Sequence, residues 1–284
     1  LYFIARQPGL AVSDLLRLLA ITKQSLGRVL TELQGRGLIE TRTGTVDRRQ
    51  KLLRLTPAGS YLDLGCGTGS YTAALSGLGG NWSANDVSET MLRQAQEKSR
   101  NIAWVQSSAD AIPFPDAAFD GAICTLAIHH FSSLRSPFCE VRRTLRSGAF
   151  VIFTGLAEQM RDYWLCHYFP EMMARSIKKM PSKSQIRAAL SEAGFKSVEV
   201  TPFFVTSQLE DLFLYSGKHR PELYLEPAVR ANISSFAHLA NAAEVQDGLA
   251  KLEADMRSGD FASIKARYAS EAGDYAFITA SIHT

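Results

Sequence analysis

The 284-residue chain has few cysteines and no arrangement of them that signals a metal site. Cys66, Cys124, Cys139 and Cys166 form no CxxC pair and no Cys/His spacing of the zinc type, so no metal is expected. Isolated thiols fit a reducing cytosol. No apolar run approaches the ~20 residues that span a bilayer, and the first residues carry no signal-peptide pattern. The chain therefore reads as cytoplasmic, with no membrane partner. Internal repeats and low-complexity tracts are also absent, which excludes solenoids and fibrous arrays.

Acidic residues are scarce in one region only. Residues 1–60 carry ten Lys/Arg against four Asp/Glu, net +6, whereas residues 61–284 carry twenty-one against twenty-four, net −3. A local basic excess on an otherwise near-neutral chain suits a small nucleic-acid-binding module joined to an enzyme-like body. The length supports a sizeable core and two domains.

The stretch Leu62-Asp63-Leu64-Gly65-Cys66-Gly67-Thr68-Gly69 pairs a short apolar strand with three glycines in five residues, followed by a helical pattern from Tyr71 to Leu78. Glycines there let the backbone turn sharply and approach a ligand at the end of a parallel strand. A dinucleotide site would need a third glycine at Ser70, and the Asp63 carboxylate would repel a pyrophosphate. It suits a ligand that brings its own positive charge. These residues resemble the first motif of the class I S-adenosylmethionine-dependent methyltransferases, of the methyltransferase type 11 kind.

That resemblance implies a Rossmann-like α/β fold, with a seven-stranded sheet covered by helices on both faces, and S-adenosyl-L-methionine as cofactor. Asp63, Gly65, Cys66, Gly67 and Gly69 would hold its amino-acid part. A second strand, Asn81 to Asn85, ends at Asp86, where a carboxylate about 20 residues past the glycine turn can accept from both ribose hydroxyls. A simple N-cap role before a helix over Ser88 to Ser99 is the alternative. By resemblance Val87 and Met91 lie near the adenine. After a third strand, Ile102 to Gln106, Asp110 can accept from the adenine amine while Ala111 leaves room for the ring. A fourth strand, Gly121 to Ile128, would bring Thr125 and the residues up to His130 to the methyl donor's reactive end. A helix over Leu134 to Leu145 and a fifth strand, Ala149 to Thr154, complete this half. An Asn/Asp-Pro-Pro-Tyr motif is missing, which disfavours methylation of DNA adenine or glutamine.

Residues 1–59 read as a winged helix-turn-helix. Leu1 to Ala5 closes one helix, and Ser13 and Thr22 can cap two more. The last has an apolar face of Leu26, Val29, Leu30 and Leu33. A strand after Gly37-Leu38-Ile39, a polar turn over Thr43 to Arg49 and a strand over Lys51 to Leu55 form the wing. Lys23, Gln24, Ser25 and Arg28 stand where a recognition helix meets DNA, and Arg48 and Arg49 can enter a minor groove; a solvated basic face is the bland alternative. Asp47-Arg48-Arg49 followed by Leu53-Arg54-Leu55-Thr56-Pro57-Ala58-Gly59 resembles the MarR family of regulators, which implies duplex DNA as a partner of these six residues. That family's dimer helices are not expected here, because little precedes this core and Gly59 leads almost at once into the next strand. A homodimer would have to form otherwise. Either the winged module replaces the helix that ordinarily precedes the first methyltransferase strand, or residues absent from this numbering once joined the two parts. The second is our expectation.

Residues 60–207 are expected to be the cofactor-binding core, and residues 208–284 a helical segment ending in the last strand, Tyr275 to Ile282. The later part of the first holds an aromatic stripe over Gln159 to Met173, a helix over Ser184 to Ala193 and a sixth strand over Ser197 to Val205. The stripe suits either core or a lid over a mostly apolar acceptor pocket. A small-molecule acceptor that must lose a proton would use His130, His129 or Tyr163 as base, in that order. Arsenite methylation would need convergent thiols, which Cys124 on a strand and Cys139 on a helix do not promise. The rival reading is a MarR-like transcription regulator whose methyltransferase-fold domain senses S-adenosylmethionine or a metabolite.

Overall fold

The computed structural model describes Val12, Leu30 and residues 39–43, 51–55, 59–209 and 211–283. The expected helices of the winged module lie outside these residues apart from Leu30, which is helical, as is Val12 just before the expected Ser13 cap. Lys23, Gln24, Ser25, Arg28, Arg48 and Arg49 lie outside them too. The wing's strands are described. β1 (Ile39–Thr43) pairs antiparallel with β2 (Lys51–Leu55), in a register that sets Ile39 opposite Leu55 and Thr43 opposite Lys51.

Seven further strands form one sheet: β3 (Ser60–Leu64), β4 (Asn81–Asp86), β5 (Ala103–Gln106), β6 (Gly121–Thr125), β7 (Ala149–Thr154), β8 (Ser197–Phe203) and β9 (Tyr275–Ser281). Their order is β5-β4-β3-β6-β7-β9-β8. From β3 the chain steps outward through β4 and β5, then returns to lay β6 on the other side of β3. All three pairings among these four strands, β3 with β4, β3 with β6 and β4 with β5, are parallel. The β3/β6 junction is therefore a switch point, where a crevice opens beyond the strands' carboxyl ends. The final strand inserts between β7 and β8, whereas a dinucleotide-binding sheet runs 3-2-1-4-5-6. This insertion separates the two fold families that the glycine turn alone left in competition.

Burial explains the strand pattern. Tyr61, Leu62, Asp63 and Leu64 are all buried, as expected for a central strand covered on both faces. β9 instead alternates in its second half, with Ile278 and Ala280 buried. The helix α1 (Ser70–Ser76) follows the glycine turn and buries Thr72 and Leu75. The next, α2 (Glu89–Lys98), is capped by the Ser88 hydroxyl, which accepts from the Met91 N–H at 3.3 Å. Before β7 comes α3 (Arg135–Thr144), which buries Pro137, Phe138, Val141 and Thr144 along one face.

By its contacts the chain divides into two compact units. One comprises residues 1–152, 189–199 and 278–284, the other 153–188 and 200–277. Within the first, Leu30 and Leu53 of the winged segment share a buried cluster with Tyr61, Leu75, Leu78 and Trp82. Gly59 already takes part in the β3/β4 pairing, its carbonyl accepting from the Asn81 N–H at 2.8 Å.

The second unit holds the aromatic stripe as several short helices, including α4 (Ala157–Arg161), α5 (Leu165–Tyr168) and α6 (Pro170–Lys179). The expected helical segment before β9 is present, its longest helix being α10 (Ala242–Ser258); between α6 and it stand α7 (Lys183–Glu192), α8 (Pro227–Ala231) and α9 (Ser234–His238), and α11 (Phe261–Arg267) follows. Gln159 ties the start of this unit to its end, donating to the carbonyls of Ala272 and Tyr275 at 2.8 Å each. Lys218 and Asp274 form a largely buried ion pair at 2.6 Å, and Asp274 also accepts from the Val205 N–H.

Two strands of the large sheet end more than one residue short of expectation. The fourth sheet strand stops at Thr125, because Leu126 adopts a left-handed φ of 53° that turns the chain into a short 3-10 helix over Ile128–His130. The sixth stops at Phe203, with Pro202 kept inside it.

Candidate active site

The first unit carries a cleft of about 710 Å³ at the carboxyl ends of β3, β4, β5 and β6, within the usual size for a small-molecule site. Its floor is the glycine turn. Gly65, Gly67 and Gly69 all have left-handed φ, between 54° and 70°, which side-chain-bearing residues rarely adopt. Packing adds a second constraint at two of them. A Cβ on Gly65 would stand 2.9 Å from that of Ala127, and one on Gly69 would run into the Trp104 ring and sit 2.8 Å from the Ala95 Cβ. At Gly67 nothing lies within 4 Å of that position. The middle of the turn is thus bare backbone facing open space.

Asp86 fixes the turn. Its Oδ2 accepts from the Gly67 N–H at 2.8 Å, and its Oδ1 from the Ser88 N–H at 2.9 Å. The Asn85 carbonyl meanwhile accepts from the N–H groups of Gly65 and Cys66 at 2.9 and 3.0 Å. Each Asp86 oxygen retains acceptor capacity toward the cleft, since a carboxylate offers about four lone-pair sites. Asn85 is buried and ties β4 to the loop after β5, its Nδ2 donating to the Ser107 hydroxyl at 3.0 Å. Its Oδ1 has no hydrogen-bond partner among the described residues.

Val87 and Met91 supply an apolar wall. Among the described residues few large hydrophobics stand exposed, yet Val87 at 73% and Met91 at 42% both line this cleft. Exposed apolar side chains gathered in a concave site mark a ligand surface rather than core. Asp110 lines the same cleft from the loop after β5, and its Oδ2 accepts from the Ser108 hydroxyl at 3.2 Å.

Of the residues anticipated from sequence, Gly65, Cys66, Gly67, Asp86, Val87, Met91, Asp110, Thr125 and His130 line the cleft together. Gly69, Ala111 and His129 do not. His129 and His130 have ring centroids 4.1 Å apart, but only His130 reaches the lining. Tyr163 belongs to the second unit, where its hydroxyl lies 2.6 Å from that of Tyr224 and its ring stacks on Tyr215 at 4.2 Å. Burial pushes its phenol well above the ordinary range, so it holds its proton rather than taking one. Leu126 and Ala127, within the expected span from Thr125 to His130, line it too, whereas further lining groups escaped the sequence reading: Ser70, Tyr71, Asn85, Ser107, Phe131 and Ser132 among them. Their signal was position, since most adjoin strand ends that the reading had already located.

Asp63 is placed otherwise than expected. It is 1% exposed and does not line the cleft; its Oδ2 accepts from the Thr72 hydroxyl at 2.5 Å, tying β3 to α1. Oδ1 has no hydrogen-bond partner among the described residues. Burial raises its pKa to about 7, against the lowering effect of Thr72 and with a further rise from the charge on Asp86. The cleft thiol, Cys66, is likewise pushed up by burial. Cys124 is buried on β6 and Cys139 exposed on α3. Among the described residues no group of His, Cys, Asp and Glu is arranged to hold a metal.

Residues 62–153 match the model of a methyltransferase domain, and residues 1–50 that of the MarR family. A crystal structure from Anabaena variabilis ATCC 29413, provisionally described as a methyltransferase from an antibiotic biosynthesis pathway, is 35% identical. It covers 79% of this chain and 91% of its own, with a TM-score of 0.70. The chain belongs to the S-adenosylmethionine-dependent methyltransferases. The methyltransferase is also 28% identical, over 49% of its length and 67% of the relative's, to the ubiquinone/menaquinone biosynthesis C-methyltransferase of Citrobacter koseri. A structure from Bacillus halodurans C-125 at 17% identity and TM-score 0.50 covers 91% of this chain and 100% of its own, and shares the fold. The cleft fits the family's cofactor: bare backbone at Gly67, free acceptor capacity on Asp86 and an exposed apolar wall match an amino-acid tail, a ribose and a base respectively.

The burial of Asp63 has a consequence for stability. Between the ordinary aspartate pKa of 3.8 and about 7 the folded methyltransferase holds a proton that the unfolded chain has released. Stability then falls as pH rises through this window and levels off above it. The fall is on the order of 4 kcal/mol. Urea unfolding at pH 5, 6, 7 and 8 checks it: Asp63→Asn flattens the slope, and an unchanged slope refutes the assignment to Asp63.

Proposed function

We propose that this methyltransferase acts on a small organic acceptor, and that the cleft residues divide the cofactor among them. Asp86 accepts from the ribose hydroxyls with the oxygen capacity that Gly67 and Ser88 leave free. The wall formed by Val87 and Met91 covers the base, and Asp110 accepts from its exocyclic amine. Backbone of the glycine turn, Gly65 to Gly67, faces the amino-acid end. The observation that carries this division is the Asp86 carboxylate, held by two N–H groups and still open to the cleft.

The cofactor supplies a methyl group on a sulfonium, a leaving centre good enough that transfer depends chiefly on alignment and exclusion of water. His130 is the base for an acceptor that must lose a proton, because it alone of the titratable candidates reaches the lining. Asp63 acts from behind the turn: an ammonium brought toward it favours its charged form. The relatives' names support a small acceptor, since one acts in quinone biosynthesis and another is assigned to an antibiotic pathway. We divide the chain into a winged segment over 1–59, a cofactor-binding core over 60–207 and a helical segment over 208–284.

Calorimetry with S-adenosylhomocysteine tests the reading. Asp86→Ala weakens binding by about tenfold to a hundredfold, the effect of losing hydrogen bonds to a charged group. Undiminished affinity removes Asp86 from the site.

A second activity follows from the MarR match over residues 1–50 and from the β1–β2 hairpin, which has the form of a wing. Under it the winged segment binds duplex DNA, with Lys23, Gln24, Ser25 and Arg28 in the major groove and Arg48 and Arg49 at the wing. Such binding is steeply salt-dependent, and each phosphate-contacting arginine removed lowers the slope of log affinity against log salt by about one. Arg48→Ala and Arg49→Ala measured across a salt series check this. A chain that ignores duplex DNA at low salt retains only the methyltransferase activity.

A further inference from the structure

The loop after β5 has little regular structure of its own, yet it carries Asp110 into the cleft. Its far side is gripped by α3. Arg143 uses all five of its N–H donors, two within α3 and three on the loop: Nε and Nη2 reach the two Glu140 oxygens at 2.8 Å each, Nη1 reaches the Phe114 carbonyl and Asp116 Oδ1 at 2.8 Å, and Nη2 also reaches the Ile112 carbonyl at 3.0 Å. Glu140 in turn accepts from the Ile112 N–H at 2.8 Å. Both polar groups of the Ile112 peptide unit are therefore taken by one side-chain pair on a neighbouring helix. Phe114 gains an edge-on contact with Phe119, ring centroids 5.0 Å apart, and Phe119 is fixed to the end of α3 through the Thr144 carbonyl at 3.0 Å.

This pair is not a surface decoration. The Glu140 and Arg143 side chains are 21% and 32% exposed, and the bidentate fork fixes orientation as well as charge. Arg143 also keeps Glu140 ionised, lowering its pKa below the ordinary glutamate value. Two residues before the gripped peptide stands Asp110, whose side-chain and N–H hydrogen bonds among the described residues both go to the Ser108 hydroxyl of its own loop.

We propose that Glu140 and Arg143 are positioning residues for cofactor-base recognition, holding the loop so that Asp110 meets the exocyclic amine of adenine. The proposal rests on the division of the cofactor given above. It goes further in assigning base selectivity to a pair outside the cleft lining. Loss of the pair leaves Asp86 and the glycine turn untouched, so ribose and amino-acid contacts persist while discrimination at the base fails.

The test compares binding of S-adenosylhomocysteine with that of S-inosylhomocysteine, in which a carbonyl oxygen replaces the amine. Wild type prefers the adenine form by about tenfold or more. Asp110→Ala abolishes the preference and sets the floor. Arg143→Ala falls to within about threefold of that floor; Glu140→Gln, which keeps an acceptor for the Ile112 N–H but loses the charge that holds Arg143, falls part of the way. Arg142→Ala, on the same helix, keeps the wild-type ratio. Thermal melts confirm that the variants compared are folded, and Glu140→Gln carries the test alone if Arg143→Ala is not. Retention of the wild-type ratio in a folded Arg143→Ala or Glu140→Gln protein overturns the proposal. Wild type that binds both ligands equally overturns it too, together with the Asp110 contact, while the ribose and amino-acid parts of the cofactor reading stand. Wild type that binds neither overturns that reading itself.

Discussion

The hydrogen bond from the Gly67 N–H to Asp86 Oδ2 joins the ends of two adjacent parallel strands. Without it the glycine turn after β3 would have no fixed relation to the end of β4, and the cleft between them no defined floor. Left-handed glycines make the turn conformationally accessible, but they also leave it many alternatives, since glycine loses more backbone freedom on folding than any other residue. The Asp86 carboxylate and the Asn85 carbonyl select among these by taking three successive backbone donors, those of Gly65, Cys66 and Gly67. Preorganisation of this kind spares the bound state the entropy of ordering the loop.

The other wall is organised by the same logic from a different element. β4 is central and its end is fixed by the ladder, whereas β5 lies at the sheet edge, with no neighbouring strand beyond it among the described residues. α3 takes the place of that neighbour through Glu140 and Arg143. Cofactor recognition thus draws on two kinds of support: a main-chain turn locked by one carboxylate, and a loop locked by a side-chain fork. Acceptor chemistry is separate from both, and among the titratable groups proposed for it only His130 stands in the cleft lining.

Most of the sheet was legible in the sequence because buried parallel strands read as short apolar runs ended by acidic residues or glycine. The glycine turn, Asp86 and Asp110 follow from that pattern together with resemblance. What escaped depends on contacts distant in sequence. Asp63 looked like a ligand group by charge alone, yet Thr72 on the following helix takes one of its oxygens and burial favours its neutral form. Tyr163 looked like a base by residue type, yet it packs among tyrosines. The fourth sheet strand looked longer because nothing in Leu126 announces a left-handed backbone. Arg143 drew no notice, since an arginine on an amphipathic helix is ordinarily solvated, and only the fold brings Ile112 and Phe114 to it.

A crystal structure of the complex with S-adenosylhomocysteine tests the central claim most directly. The ligand is expected in the cleft at the ends of β3 to β6, with its ribose hydroxyls on the Asp86 carboxylate and its base against Val87 and Met91, the amine toward Asp110. A ligand bound elsewhere, or one in the cleft whose ribose makes no contact with Asp86, would contradict the account.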